Sequence, residues 1–367
     1  MNKSCATYNQ GIDLLRIVAM FMILILHILG QGGILKNLVY VPSELLSKYG
    51  VVWLIETICF VATNCFALIT GWNCYGLPHK WKRLVELWVL VLFYSIGITV
   101  MFTLFGYHTN TYIWIKSFFP VLYSNYWYVT AYVGMFLFIP MMNKFICNTE
   151  YKTLRNILIC GYVIFCILPT LFNVDPFRLH KGHSVLWLCC LYIVGGVFRK
   201  YEINYYTDTM KELIIFSGAI LVSWGTKMVA EYCRFYGYID IKNSNIFIND
   251  TSPTIVIASI FLLFYFSKLR FGRNRISSFI KFFSTTSFSI YLIHLHFLVW
   301  RNIIKNFAVD FTNYNSLVIV IRVILTAGAM YLMFSLIDWI RLKIFQYINI
   351  KEKIDKCATY VRIKLLI

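Results

Sequence analysis

Residues 11–33 read GIDLLRIVAMFMILILHILGQGG, and this stretch decides what kind of protein the chain is. It is long and apolar enough to cross the ~30 Å hydrocarbon layer of a bilayer, which takes about 20 residues of helix. Yet it carries Asp13, Arg16 and His27, groups for which a plain membrane anchor has no use. Arg16 and His27 are eleven residues apart. On an α-helix that spacing is a rotation of ~1100°, only ~20° past three full turns, with a rise of ~16 Å. The two side chains therefore share one stripe at two depths. Ionisable groups inside a span cost about 3 kcal/mol each on insertion scales, which makes them functional candidates by default. Each also has a plainer explanation. Arg16 can snorkel to the headgroups and pair with Asp13 three residues earlier, and His27 can be a hydrogen-bonded packing residue. Their shared stripe favours function.

The rest of the chain has the same solvent. Of 367 residues, 59% are apolar and 14% charged, with a mean hydropathy of +0.68. A soluble domain carries about 25% charged residues. Such a chain cannot cover itself with polar surface, so lipid must do so. The net charge of +18 does not indicate nucleic acid, because no soluble stretch carries a basic stripe interleaved with aromatics. Eleven cysteines are scattered, mostly inside apolar runs. None has paired C-x-x-C spacing, so neither a disulfide framework nor a metal site is indicated, and packing roles suit them better. The first apolar run is short enough for the core of a signal peptide, but no small-residue cleavage site follows it and Asp13 stands in its approach. It reads as a retained first helix.

Nine further spans are expected, with cores near 51–71, 84–106, 127–147, 157–173, 183–198, 212–230, 253–268, 284–300 and 316–340. The fold class is an all-α polytopic integral membrane protein with about ten transmembrane helices. With the N-terminus placed in the cytoplasm, inner segments hold 22 of the 34 Lys and Arg and outer segments ten, Arg16 and Arg322 lying inside spans. That bias puts both termini in the cytoplasm. The longest outer segment, 228–252, has room for a lid or a short re-entrant piece. The tail from Lys351 is basic and amphipathic, and is expected to lie on the anionic inner leaflet. There is no internal repeat of the kind seen in transporters built from inverted halves.

The first helix has the pattern G-x-D-x-x-R, ten residues, then H, formed by Gly11, Asp13, Arg16 and His27. Further along come NCFALITGW at 64–72, HKWKRLVELW at 79–88, NYWYVTAYVGMFLFIPMM at 125–142 and SFSIYLIH at 287–294. In order and placement these resemble the motifs of the family-3 membrane acyltransferases over nearly the whole chain. The resemblance implies an enzyme of the plasma membrane, with an acyltransferase domain over 1–350 and a basic cytoplasmic tail over 351–367. It would move an acyl group, usually acetyl, from cytoplasmic acyl-coenzyme A to a hydroxyl of an extracytoplasmic glycan or lipid-linked glycan. No bound cofactor is implied, the coenzyme being a donor substrate.

Residues and resemblance together suggest roles. Imidazole titrates near neutrality, so His27 suits the base that takes the acceptor proton. Arg16, with Lys80 and Arg83, would hold the donor at the inner mouth. Relative to Ser287, Tyr291 is rotated by ~40° and His294 by about −20°, so the three share a face. They would line the passage, with Tyr291 or Ser287 donating to the oxyanion, although a hydrogen-bonded seam between helices has the same pattern. His296 falls near the opposite face, as a packing or lipid-facing residue. Trp127 and Tyr128 suit stacking on a sugar and equally an interfacial aromatic belt. The chain departs from the family pattern at Lys80 and Lys82, where arginine is common and gives bidentate phosphate recognition, and at Phe288, where a tyrosine hydroxyl is lost. Two other functions use the same residues: a polysaccharide exporter whose polar stripe is a translocation path, and a sensor or scaffold that keeps the fold without turnover.

Overall fold

In the computed structural model, which describes residues 9–42, 47–238, 244–272 and 275–356, every regular element among the described residues is helical. Lys3, Lys242 and Arg273, which enter the charge bias, and residues 357–367 of the tail lie outside the described residues.

The first span is α1 (Gln10–Gly30), started by Asn9, whose side chain accepts from the Gly11 and Ile12 amides. The second span is split into α2 (Lys48–Cys59) and α3 (Ala62–Cys74). Next come α4 (Lys82–Leu104) and α5 (Trp127–Asn148). The fifth span begins as α6 (Tyr151–Tyr162) and runs on through a π-helical turn to Phe172. Then follow α7 (Val185–Lys200), α8 (Thr209–Phe235), α9 (Pro253–Lys268), α10 (Arg275–His294) and α11 (Ser316–Tyr347). Among the described residues, eight spans are long and apolar enough to cross a membrane, and α9 is a shorter apolar helix. The 16-residue α7 fills the stretch expected at 183–198. The chain is a multi-pass membrane protein.

α1 occupies the middle of the bundle, packed against α2, α3, α9, α10 and α11. Leu15, Ala19, Leu24 and Ile28 on it are wholly buried. A polar group on this helix therefore faces protein and not lipid.

The crossing of α3 on α7 is close, made by two glycines. A Cβ on Gly71 would lie 2.1 Å from the Tyr192 carbonyl oxygen, and one on Gly195 would lie 2.3 Å from that of Leu68. Membrane helices gain their association from such close backbone approach, because lipid leaves them no hydrophobic driving force toward each other. Gly71→Ala is expected to destabilise the fold by about 1–3 kcal/mol through overpacking. Thermal unfolding in detergent, followed by thiol-dye access to the buried Cys65, measures it; an unchanged midpoint would show that the two helices can separate freely.

Three segments differ from expectation. The span expected at 284–300 stops at His294, turns at Leu295 and His296, and resumes as short helical turns from Phe297 to Ile304. His296 makes that turn: its Nδ1 accepts from the Leu298 amide at 3.3 Å and its Nε2 donates to the Ser95 carbonyl at 3.0 Å. It is wholly buried, so of its two expected positions packing is the one realised. The outer segment 228–252 begins as the last turns of α8, residues 239–243 of it lie outside the described residues, and 244–252 folds inward with Ile248, Asp250 and Ser252 buried. Residues 350–356 form a helical turn that folds back on the bundle, burying Ile354 and pairing Asp355 with Lys82 at 2.5 Å.

Candidate active site

The α1–α10 seam carries both members of the stripe. Near its start, the Arg16 guanidinium donates to Asp13 at 2.5 Å and to the Ser284 hydroxyl at 3.2 Å. Farther along, His27 Nδ1 lies 2.8 Å from His294 Nε2, and the Trp300 ring meets His27 edge-on at 4.8 Å between centroids. The protons on this histidine pair follow from what each partner can do. His294 Nδ1 lies 2.6 Å from the Ile290 carbonyl, which can only accept. His294 Nδ1 must then carry hydrogen, and the neutral ring has its lone pair on Nε2. His27 Nδ1 donates to that lone pair. The lone pair of His27 is left on Nε2, turned away from the seam.

Two cavities flank this seam. The larger, about 1180 Å³, is walled by Arg16, Arg83 and Arg341 and closed below by Lys351, Glu352 and Ile354. The smaller, about 230 Å³, is walled by His27, Glu56, Trp127, His183, Asp250 and Tyr291. Phe66, Tyr128 and Phe288 belong to both walls and form an aromatic partition between them. The stripe of α1 thus serves two compartments, Arg16 the larger and His27 the smaller.

The other residues singled out by sequence divide in the same way. Arg83 borders the large cavity, with Nη1 3.6 Å from Cys74 Sγ. Lys80 opens only on a small pocket beside it. Tyr291 lines the smaller cavity and its hydroxyl accepts the Tyr128 amide at 3.2 Å, which leaves its own hydrogen to donate. Tyr128 stands in the partition with its hydroxyl buried and without a partner among the described residues. Trp127 stacks on His183, centroids 4.0 Å apart and planes 22° apart. Ser287 reaches neither cavity. It donates to the Phe283 carbonyl at 2.8 Å and pairs with the Tyr331 hydroxyl at 2.8 Å, which places it in a seam with α11. His294 stands behind His27.

Three groups escaped the sequence reading. Glu56 and Asp250 are buried in the wall of the smaller cavity. Glu56 was visible as the one carboxylate in the apolar run of α2. Asp250 lies in a loop, where sequence has no periodicity to exploit. Burial pushes the Asp250 carboxyl up from its ordinary value and the His183 imidazole, 3.3 Å away, pulls it back. The third is Arg341, whose Nε and Nη2 donate to the two carboxylate oxygens of Asp338, which also accepts the Tyr94 hydroxyl at 2.6 Å. That bidentate clamp fixes a guanidinium on the wall of the large cavity. Among the described residues no cluster of His, Cys, Asp and Glu is arranged to hold a metal ion.

The family model described as an acyltransferase domain matches residues 9–338, and the chain belongs to that family, the family-3 membrane acyltransferases. The match runs from the cap of α1 to Asp338 and so takes in both sides of the partition. No curated protein and no solved structure matches the chain.

Proposed function

We propose that this acyltransferase moves an acetyl or similarly short acyl group from cytoplasmic acyl-coenzyme A to a hydroxyl of an extracytoplasmic glycan, within the plasma membrane. The observation that carries the reading is the pair of cavities meeting at one partition, with the free Nε2 of His27 on one side and three arginines on the other. The Lys and Arg bias assigns the arginine side to the cytoplasm. There Arg16, Arg83 and Arg341 would engage the coenzyme's phosphates while the thioester reaches the partition, Lys80 adding charge at the rim.

His27 Nε2 takes the acceptor's hydroxyl proton as its oxygen bonds to the thioester carbonyl carbon. The tetrahedral oxyanion accepts a hydrogen bond from Tyr128 or Tyr291, both of which line this space. Collapse breaks the carbon–sulfur bond, and the thiolate leaves with the proton held on His27. Ser287, with both its interactions made inside the seam, is not needed for this sequence.

Mass spectrometry of the surface polysaccharide from wild-type and deletion cells tests the reading. The expected result is a polymer made in normal amount that lacks the mass increment of one acetyl group per modified residue. Loss of the polymer itself would favour an exporter, and an unchanged polymer would overturn the proposal.

A further inference from the structure

The smaller cavity contains two carboxyl groups that the steps above do not use. Glu56 is 7% exposed, and its Oε2 is buried with no hydrogen-bond partner among the described residues. Asp250 is 2% exposed and faces His183 Nε2 at 3.3 Å. The segment bearing Asp250 is held in place. Its backbone carbonyl accepts from Asn64 Nδ2 at 2.8 Å, and Asn64 Oδ1 in turn accepts the Trp187 indole N–H at 3.0 Å. Gly182, at φ +106°, lets the chain pass, since a Cβ there would lie 2.4 Å from that of Asp250. The Trp127–His183 stack stands in the same wall, beside Asp250.

A buried oxygen with unused acceptor capacity is normally matched by a donor. Glu56, with that oxygen unmatched, is part of the wall of the cavity on which His27 opens. The ligand that completes the site brings several hydroxyl donors and one apolar face. The volume, about 230 Å³, equals that of about seven or eight waters at ~30 Å³ each, enough for one sugar ring. The titratable groups of the wall are His27, Glu56, Tyr128, His183, Asp250 and Tyr291, with no Lys or Arg among them. An acceptor carboxylate or phosphate would therefore be buried against two carboxyls with only imidazoles to offset it.

We propose that this cavity is a recognition site for one uncharged pyranose unit of the acceptor. Glu56 and Asp250 accept from its hydroxyls, Trp127 and His183 cover its C–H face, and the two carboxyls exclude acidic sugars. The assignment rests on the acyl-transfer reading and adds the acceptor's charge class to it.

The test uses the full-length protein in lipid nanodiscs with acetyl-coenzyme A and two probes, p-nitrophenyl β-glucopyranoside and p-nitrophenyl β-glucuronide. Released thiol and acetylated glycoside are measured separately. The wild type is expected to acetylate the glucoside with a kcat/KM at least about tenfold above that for the glucuronide, since burying a carboxylate in a wall without Lys or Arg is penalised well beyond one decade. Glu56→Gln is expected to raise the KM for the glucoside and to narrow the preference over the glucuronide, with the KM for acetyl-coenzyme A unchanged. Should that variant not fold, Trp127→Ala is expected to raise the glucoside KM in the same way. Equal use of both glycosides, an unchanged preference in Glu56→Gln, or thiol release with neither glycoside acetylated overturns the site. Absence of thiol release by the wild type overturns instead the donor reading on which it rests.

Discussion

Replacing His27 with alanine is expected to lower kcat for acyl transfer by about 10²–10⁴-fold, the range in which a positioned general base contributes, with little effect on the KM for acyl-coenzyme A. The separation follows from the partition. His27 opens on the smaller cavity and the cationic groups on the larger, so removing the imidazole leaves the donor's surroundings intact. His294 supplies the internal control. It touches neither cavity and acts through its Nε2, which receives the His27 Nδ1 hydrogen. His294→Phe removes that acceptor and frees His27 to rotate or to adopt the other tautomer. Its loss should be smaller than that of His27→Ala, and the double variant should lose no more than His27→Ala alone. Steady-state kinetics with labelled acetyl-coenzyme A measures all three. Wild-type turnover in His27→Ala would end its assignment as the base.

The largest effect on stability is expected at Glu231, far from the chemistry. Its Oε1 accepts from the Tyr49 hydroxyl at 2.8 Å, from Lys227 Nζ at 2.6 Å and from the Ser244 hydroxyl at 2.6 Å, and its Oε2 pairs with Arg234 at 2.5 Å. Lys227 has a side chain only 3% exposed and sits 4.0 Å over the Trp53 ring. Glu231→Ala would leave that ammonium buried without its counter-ion, a loss of about 3–5 kcal/mol. Arg234 is half exposed and can turn to solvent. Replacing the pair together, Lys227→Met with Glu231→Leu, should recover most of the loss, because removing both charges abolishes the penalty that removing one creates. Thermal unfolding of the three proteins measures this. A single variant as stable as the wild type would mean that water already reaches Lys227. The cluster ties α8 to α2, the helix that carries Glu56, so the unfolding experiment also reports on the frame of the smaller cavity.

The eight long spans were legible because each has the length a bilayer demands, and membrane helices have few alternatives. The break between α2 and α3 was not. The run from Ile55 to Phe66 is too apolar to mark an end, and the break is tolerated through a distant partner, the Ser259 hydroxyl, which reaches the Val61 carbonyl at 3.3 Å. The α1 stripe was legible because periodicity within one helix fixes which side chains share a face. Periodicity says nothing of what each member of a face meets. Ser287, Tyr291 and His294 do share one face of α10. The first meets Tyr331 of α11, the second the amide of Tyr128 on α5, and the third His27 of α1. Glu56 was passed over for a similar reason. A lone carboxylate in an apolar helix reads the same whether it is paired or aimed into a cavity.

The partition of Phe66, Tyr128 and Phe288 has an electrical consequence. Two water-filled cups that nearly meet across a bilayer concentrate the membrane voltage on whatever separates them. Three aromatic side chains shared by the two walls give that gap the character of a dewetted insulator, which hydrated ions cross only at high cost. A slender acyl thioester, carrying no charge at its reacting end, does not feel the field that stops a proton or a sodium ion. With donor and acceptor placed as proposed, the same rings let a cell keep many copies of this enzyme in its membrane without discharging it.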